Sequence, residues 1–501
     1  MTKTLGIDLG TQSLKTVVYD ASRQLVIATA ESPLDVDRDA AGKAEQSASD
    51  WLSALAHCIR VLGPDIIAGI QAIAVSGQQH GFVALDDTGN VLAPVKLWCD
   101  TATQAQADAI MERAGGADEC IRLAGNPVAV GYTASKIAWL KDASPAQYER
   151  MATILLPHDY LNFMLTGVRC MECGDASGTG LLDIRTSQWN SAMLRAVDPD
   201  RDIQTCLPPL VPAASFIGVT AGEFVRTLGI PEGIPVAPGG GDNMMAAIGT
   251  GNVVPGRVTI SLGTSGTLFA CSDAPVIDPD GSIAAFMDST GRWLPLLCTM
   301  NCTVATETIR GLLDVSVEHI DALADDIAPG ADGLITLPFF QGERTPALPN
   351  ARAGLLGLTV ANATRGHMLR SAMEGVAFGL RFGLERMRVL GVSTDEIVLT
   401  GGGSRSRTWR QIISDVCNLP VSIPDVPEGA AMGAALQALW VLMRQTTPDV
   451  DIADVTADHL PLADAPRVTP CADAVTQYDL QYAEYRRAVD CLTRYYEEQK
   501  S

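Results

Sequence analysis

No run of apolar residues in this 501-residue chain is long enough to cross a bilayer as a helix. The longest, Gly429 to Met443, is broken by Gln437 and falls short of the roughly 20 residues that a span requires. Positive charge is also scarce: Lys and Arg number 36 against 58 Asp and Glu, a net charge of −22. Such a surface repels phosphate backbones and anionic lipid at long range, and no basic patch offsets it, so nucleic-acid and membrane partners are excluded. The opening stretch MTKTLGIDLG has no apolar core and no small-residue cleavage site, and does not read as a secretory signal. The 12 cysteines are scattered, which suits a reducing compartment and predicts a cytoplasmic protein. The one close pair, Cys170 and Cys173, lacks a second ligand pair at metal-site spacing and reads as two structural thiols. Several catalytic motifs are missing as well. Without GxxxxGK[ST] the chain is not a P-loop enzyme, and without GxGxxG it lacks the Rossmann dinucleotide fingerprint. GxSxG and HExxH are absent too.

What is present is a globular composition, 47% hydrophobic and 19% charged, in a length that suits two or three domains. The first 30 residues read as three strands, Thr4 to Leu9, Lys15 to Tyr19 and Leu25 to Thr29, joined by turns. About 250 residues on, Arg257 to Leu262 runs into Gly263-Thr-Ser-Gly266 and a second strand, Thr267 to Cys271. Ile70 to Ser76 and Glu396 to Thr400 are further strands. Helical patterns begin at Ala134 and cover Thr303 to Leu313, Arg365 to Leu390, Arg407 to Cys417, Gly429 to Met443 and Gln477 to Gln499. Two halves that each open with a β-hairpin point to an internally duplicated α/β protein. The expected boundary is Pro255-Gly256, giving domains 1–254 and 255–501, with the C-terminal tail packed on the second.

Asp8-Leu-Gly-Thr-Gln-Ser13 sets a carboxylate at a strand end before a tight glycine turn, whose N–H groups and hydroxyls can hold phosphate oxygens; Lys15 reaches the same anion. Leu262-Gly-Thr-Ser-Gly266 repeats the arrangement. A single such turn is often only a hairpin loop, but here two occur in duplicated context with two further clusters, Gly239–Gly241 and Gly401–Gly403. Asp242 follows the first cluster and precedes an apolar helical pattern. A lone Asp there is ordinarily an N-cap, yet three glycines suggest close approach of a ligand, and the carboxylate is placed to accept a proton from a substrate hydroxyl attacking a γ-phosphoryl group. Asp8 is placed to hold Mg²⁺ through water. Ser76-Gly-Gln-Gln-His80 ends a buried strand and offers neutral amide and imidazole groups suited to a polyol; a polar loop with a satisfied histidine is the alternative. Trp98 is a candidate for stacking on a sugar face beside Asp100, and Tyr132 for a second wall.

Taken in order, these segments resemble the FGGY carbohydrate kinases, and within them most closely the xylulokinase branch. The matching segments are GIDLGTQSLK (6–15), SGQQHG (76–81), LWCD (97–100), GYTASKIAWL (131–140), LLPHDYLNFMLTG (155–167), GGGDN (239–243), SLGTSG (261–266), QGERTP (341–346), AGLLGLTVANATRGHMLRSAMEG (353–375) and GGGSRS (401–406), spread over nearly the whole chain. The resemblance implies a two-lobed, ribonuclease H-like (actin-like ATPase) fold with the active site in the cleft between the lobes. It implies ATP-dependent phosphorylation of a ketopentose, xylulose first, with Mg²⁺. Asp242 would be the catalytic base and Asp8 the second essential carboxylate, both near the metal. Gln79, His80, Asp242 and Asn243 would contact the sugar. Thr11, Gln12, Ser13, Lys15 and Thr264 would meet the phosphates, and Gly402 and Ser406 would line the nucleotide. A homodimer is expected on the same ground. Ala102 stands where many members have Arg, Gln79 where Met is frequent, and Ala143 breaks the end of a family signature, so another ketose or polyol, such as ribulose or glycerol, remains open. A non-enzymatic actin-like ATPase module is the reading from a different class.

Overall fold

The computed structural model describes residues 2–424, 429–460 and 467–498. The chain divides into two compact units. The first contains Met1–Val254, Cys271–Leu294 and Glu428–Leu460; the second contains Pro255–Ala270, Pro295–Pro427 and Pro461–Ser501. The chain therefore leaves the first unit at the expected Pro255-Gly256 point but returns to it twice, where a single boundary at 254/255 would have it stay away.

In the first unit the alternating apolar residues of Lys3–Leu9 make it a central strand, with Leu5, Ile7 and Leu9 fully buried. It pairs antiparallel with Ser13–Asp20, which pairs antiparallel with Leu25–Pro33. On its other side Lys3–Leu9 runs parallel to Ala72–Gly77, from Thr4 opposite Ala72 to Leu9 opposite Gly77. A parallel neighbour requires a crossover, and the helix Ala48–Leu62 supplies it, burying Trp51, Leu55, Cys58 and Ile59. Pro235–Val236 and Gly240–Gly241 then run parallel to Ala72–Gly77. The helix Gly429–Arg444 lies against the same sheet so closely that a Cβ on Gly6 would sit 1.9 Å from the Ala431 carbonyl oxygen.

The second unit repeats the plan. Its sheet runs Leu296–Thr299, Gly266–Ala270, Gly256–Leu262, Thr394–Thr400, Val421–Ser422. Again the first two pairings from the opening strand are antiparallel and the later strands are parallel to it. In both units the first three strands stand in the spatial order third, second, first, with the parallel strands beyond the first; in the first unit Gly218–Val219 adds an antiparallel edge beside Pro235–Val236. This is the ribonuclease H-like, actin-like ATPase topology, present twice, and it carries the duplication that the two hairpins announce. The expected helices are found as Thr303–Leu312, Arg365–Val389, Arg407–Cys417 and Gly429–Arg444. The C-terminal tail is shared between the units. Ile452–His459 belongs to the first, where His459 Nδ1 lies 2.9 Å from the Tyr19 hydroxyl. Ala472–Glu498 belongs to the second, where Arg370 donates to the Tyr478 hydroxyl at 2.8 Å; Gln499 lies outside the described residues.

Candidate active site

In parallel sheets, ligands gather beyond the carboxyl ends of the strands. In the first unit that edge collects Asp8, the Gln78-Gln79-His80 segment and Asp242, one from each of three parallel strands. Asp8 accepts from the Ser76 hydroxyl at 2.8 Å, its parallel neighbour in register. Burial pushes the Asp8 carboxyl up, against the Ser76 hydrogen bond and the Lys15 charge. Lys15 is the cross-strand partner of Asp8 and lies 3.9 Å from Glu31. The turn after Asp8 is closed by Gly10 N–H donating to Ser13 O, and its Gln12 side chain is exposed. It is also held from behind. The Gln46 amide donates to Thr11 O at 2.8 Å, and the Thr11 hydroxyl donates to Gln78 Oε1 at 3.0 Å. The Trp98 indole N–H donates to the Thr11 hydroxyl at 2.9 Å. Gln78, read from the sequence as a sugar ligand, thus serves the turn; its own amide N–H₂ goes to Gln46 Oε1.

The glycines before Asp242 have a different reason from the expected ligand approach. Gly240 and Gly241 pair with Ser76 and Gly77. A Cβ on Gly239 would lie 2.0 Å from the Val75 carbonyl oxygen, one on Gly240 2.0 Å from the Ser289 hydroxyl, and one on Gly241 2.7 Å from Gln79 Cγ. The protein's own packing leaves no room for side chains here. Gln437 pins the same segment: Gly239 N–H donates to its Oε1 at 2.8 Å, and its Nε2 donates to the carbonyls of Gly239 and Ser289.

Asp242 is the first residue of the helix Asp242–Gly249. A helix N-terminus favours an anion, yet the carboxyl is pushed up to about 7, first by burial and then by the negative charges of Asp8 and Asp175. The Asn243 backbone N–H (2.8 Å) and side-chain amide (3.0 Å) donate to Asp242 Oδ1 and oppose the shift. The same Asn243 amide donates to Gln79 Oε1 at 2.9 Å. That fixes the orientation of Gln79 and leaves its buried Nε2 without a partner among the described residues. A buried orphan donor costs roughly 1–3 kcal/mol unless something accepts from it, and a ligand hydroxyl beside Asp242 is a suitable acceptor.

His80 adopts φ 64°, a left-handed conformation rare outside glycine. Its ring lies 4.8 Å from the Tyr132 ring and 5.7 Å from Phe286, centroid to centroid. Its carbonyl accepts from Lys136 Nζ at 2.6 Å and from the Thr133 hydroxyl at 3.2 Å. Asp100 does not stand among the sugar candidates: it is fully buried, ion-paired with Lys96 at 3.0 Å, and accepts from the N–H groups of Ala44 and Ala102. Behind Asp242 lies a buried cluster that sequence reasoning did not single out. His158 Nδ1 is 2.8 Å from Asp175, and Glu172 accepts from Gly174 N–H, Asp175 N–H and the Ser289 hydroxyl. Burial pushes Glu172 up to about 7. Burial likewise pushes the thiols of Cys170 and Cys173 up to about 12, which suits inert structural residues.

In the second unit the turn Gly263-Thr264-Ser265 ends the strand Gly256–Leu262. The carbonyls of Gly263 and Thr264 accept from Thr303 and Cys302 at the start of the helix Thr303–Leu312, which leaves the Thr264 side chain exposed. The Gly401–Gly403 cluster ends the adjacent parallel strand. Gly401, at φ 81°, would place a Cβ 2.6 Å from the Leu262 carbonyl oxygen, so the two glycine clusters meet. Gly402 is exposed with open space around it. The Ser406 hydroxyl donates to Asp321 and accepts from Trp409 N–H, so it caps the helix Arg407–Cys417.

A duplicated ribonuclease H-like fold with a half-buried acid at a strand edge is the fold of actin-like ATPases, sugar kinases among them, and the comparisons with known proteins name the branch. Residues 3–249 match the N-terminal domain and residues 258–442 the C-terminal domain of the FGGY family of carbohydrate kinases. The chain belongs to that family. It is 40% identical over 446 residues to a xylulose kinase of Haemophilus influenzae, covering 87% of this chain and 90% of that one. A solved xylulose kinase from Rhodospirillum rubrum superposes with a TM-score of 0.89 at 26% identity, covering 99% of this chain and 100% of the other. A gluconate kinase from Lactobacillus acidophilus, 23% identical with 98% of each chain covered, shares the fold at the same TM-score of 0.89. Among the described residues no helix is long and apolar enough to cross a membrane.

Proposed function

We propose that this chain transfers the γ-phosphoryl group of ATP to D-xylulose, giving D-xylulose 5-phosphate and ADP. The observation that carries the reading is the Gln79–Asn243–Asp242 chain: a carboxyl held near 7 beside an amide donor with no acceptor among the described residues. In this reading the Gln79 amide and the His80 ring position a sugar hydroxyl at Asp242. As that oxygen bonds to the γ-phosphorus, its proton passes to the Asp242 carboxylate and the bond to the β–γ bridging oxygen breaks, releasing ADP. Asp8 and Asp242 would hold Mg²⁺ through water. Two carboxylates whose charges oppose each other fit a cation that binds few carboxylates and keeps its waters, and the ion would neutralise charge on the transferred group. In the first unit the Gly10–Ser13 turn with Lys15 would meet phosphate oxygens, and in the second the turns bearing Thr264, Gly402 and Ser406 would offer nucleotide-binding groups. A neutral polyol suits Gln79, His80 and Asn243, whereas a sugar acid would bring a second negative charge to Asp242.

The test is a coupled ADP assay across xylulose, ribulose, other ketoses, glycerol and gluconate. D-xylulose is expected to have the highest kcat/KM and gluconate almost none. A ranking led by glycerol or gluconate would overturn the xylulose assignment, and ADP release independent of every polyol would overturn the kinase reading.

A further inference from the structure

Lys136 is fully buried in the helix Thr133–Ala143. Its ammonium group makes two contacts, both with backbone carbonyls: 2.6 Å to His80 O and 2.7 Å to Gly131 O. The two carbonyls belong to the two segments that carry the rings facing each other at the proposed sugar site, His80 and Tyr132. Gly131 is itself wedged against the segment that carries Trp98, since a Cβ there would lie 2.4 Å from the Trp98 carbonyl oxygen. The His80 carbonyl is the one that needs holding. His80 adopts a left-handed backbone that a residue with a Cβ resists, and Thr133 adds a second donor to the same oxygen at 3.2 Å. Gly178 leaves space that a Cβ would fill 2.4 Å from the His80 ring. The imidazole is thus fixed both through its backbone and by contact with this turn. The charges of Asp100 and Asp175 favour the ammonium without outweighing its burial, and its hydrogen bonds go to the two carbonyls rather than to a carboxylate; an amine held this way is a poor way to stabilise a core, which points to a task at the carbonyl.

We infer that Lys136 is a positioning residue for the sugar: with Thr133 it clamps the His80 carbonyl, holds that residue left-handed, and so sets the imidazole against Tyr132 where the ketose is received. This rests on the reading of His80 as a sugar contact. Lys136 touches neither substrate nor reacting atoms.

The test combines Lys136→Met, Thr133→Val and His80→Ala in a double-mutant cycle, with KM measured separately for ATP and for whichever polyol the wild-type chain turns over best. Displacing a binding group by about an ångström costs up to roughly a hundredfold. Lys136→Met is therefore expected to raise the sugar KM roughly ten- to hundredfold and Thr133→Val about threefold, with the ATP KM changed less than about twofold. In the His80→Ala background each effect should shrink to less than about twofold, because a residue that acts through His80 has nothing left to position. If the effects multiply in that background, or both KM values rise together, Lys136 serves the core only and the inference fails. Should Lys136→Met not fold, Thr133→Val decides alone: an unchanged sugar KM overturns the clamp. A wild-type chain that turns over polyol but is insensitive to His80→Ala would instead refute the reading of His80 as a sugar contact.

Discussion

Replacing Gln437 by Leu removes one acceptor and one donor from a fully buried position without changing side-chain bulk greatly. Three backbone groups then lose a partner: Gly239 N–H, which donates to Gln437 Oε1 at 2.8 Å, and the carbonyls of Gly239 and Ser289, which accept from its Nε2 at 3.1 and 3.2 Å. Neither carbonyl can turn to water. Gly239 is held by the strand pairing that follows it, and Ser289 by its hydroxyl bond to Glu172 at 2.7 Å. An orphaned buried backbone group costs roughly 1–3 kcal/mol, with the longer carbonyl contacts at the low end, so the sum is about 3–6 kcal/mol. In a cooperative unit of about 300 residues each kcal/mol corresponds to roughly 1.5 °C, so the unfolding midpoint of the first unit should fall by about 5–9 °C. Because the segment leads directly into Asp242, turnover should fall too. Thermal unfolding followed by circular dichroism, with kcat measured well below the transition, checks both. A Gln437→Leu protein that melts within a degree of wild type and keeps its kcat would refute the claim that this residue fixes the acid.

Three further outcomes follow from the same geometry. Asp242→Asn should lower kcat by roughly 10²–10⁴ with ATP binding little changed; and because a protonated carboxyl cannot accept a proton, wild-type kcat/KM should fall about tenfold per pH unit below the value of about 7 to which Asp242 is raised, so a flat profile from pH 5 to 8 would exclude it as the base. Burial lowers the Lys136 ammonium from 10.5 to about 7, so between those values the folded chain binds fewer protons than the unfolded one and rising pH favours folding; relative to Lys136→Met, wild type should gain about 1.4 kcal/mol per pH unit above 7 in urea titrations, and a constant gap would show that the group is not depressed. Asp8→Ser should abolish turnover while leaving far-UV dichroism unchanged and the melting midpoint at or above wild type, because a carboxyl raised by burial costs stability at neutral pH, whereas a clear loss of stability would show that Asp8 is structural.

Local signals were legible in the sequence because the chemistry that produces them is local. The hairpin at residues 3–20 follows from alternating apolar residues either side of a glycine turn, and the helix Arg407–Cys417 from its helical apolar period, while the Ser406 cap emerged only from the structure. Asp8, Gln79, His80 and Asp242 stand out for the same reason, as polar residues at the ends of buried strands. Contacts between distant residues left no such mark. Gln437 looked like an interruption in an apolar helix; its reason is a glycine 198 residues earlier. Phe286 falls after the Pro255-Gly256 point, where one would assign it to the second domain, but its ring joins His80 in the first. Gln78 and Gln79 are adjacent and chemically identical, and only the fold tells that one serves the Thr11 turn and the other faces Asn243.

The Asp8→Ser prediction draws its force from the duplication. Ile7-Asp8-Leu9-Gly10-Thr11 ends the first strand of one unit, and Ile260-Ser261-Leu262-Gly263-Thr264 ends the first strand of the other. The registers agree as well: Asp8 lies opposite Ser76 in the parallel neighbour, and Ser261 lies opposite Thr400. One step further along, Gly77 answers to Gly401, Gln78 to Gly402 and Gln79 to Gly403. The two units therefore share a backbone but differ in what it presents. Where the first offers a carboxylate and two amides, the second offers a hydroxyl and bare glycine. Ser261 shows that this strand end folds without an acid, so Asp8 is not a requirement of the topology, and its carboxyl is held above its ordinary range by burial at a cost to stability. A fold that manages without a charged group in one copy, and keeps it in a disfavoured state in the other, is what the role proposed for Asp8 requires. By the same comparison, the polar side chains proposed to read a sugar hydroxyl belong to the first unit. In the second, Gly401 and Gly403 pack against Leu262 and Trp409, while Gly402 is exposed with open space around it and, in the reading proposed above, would let a phosphorylated nucleotide approach the backbone.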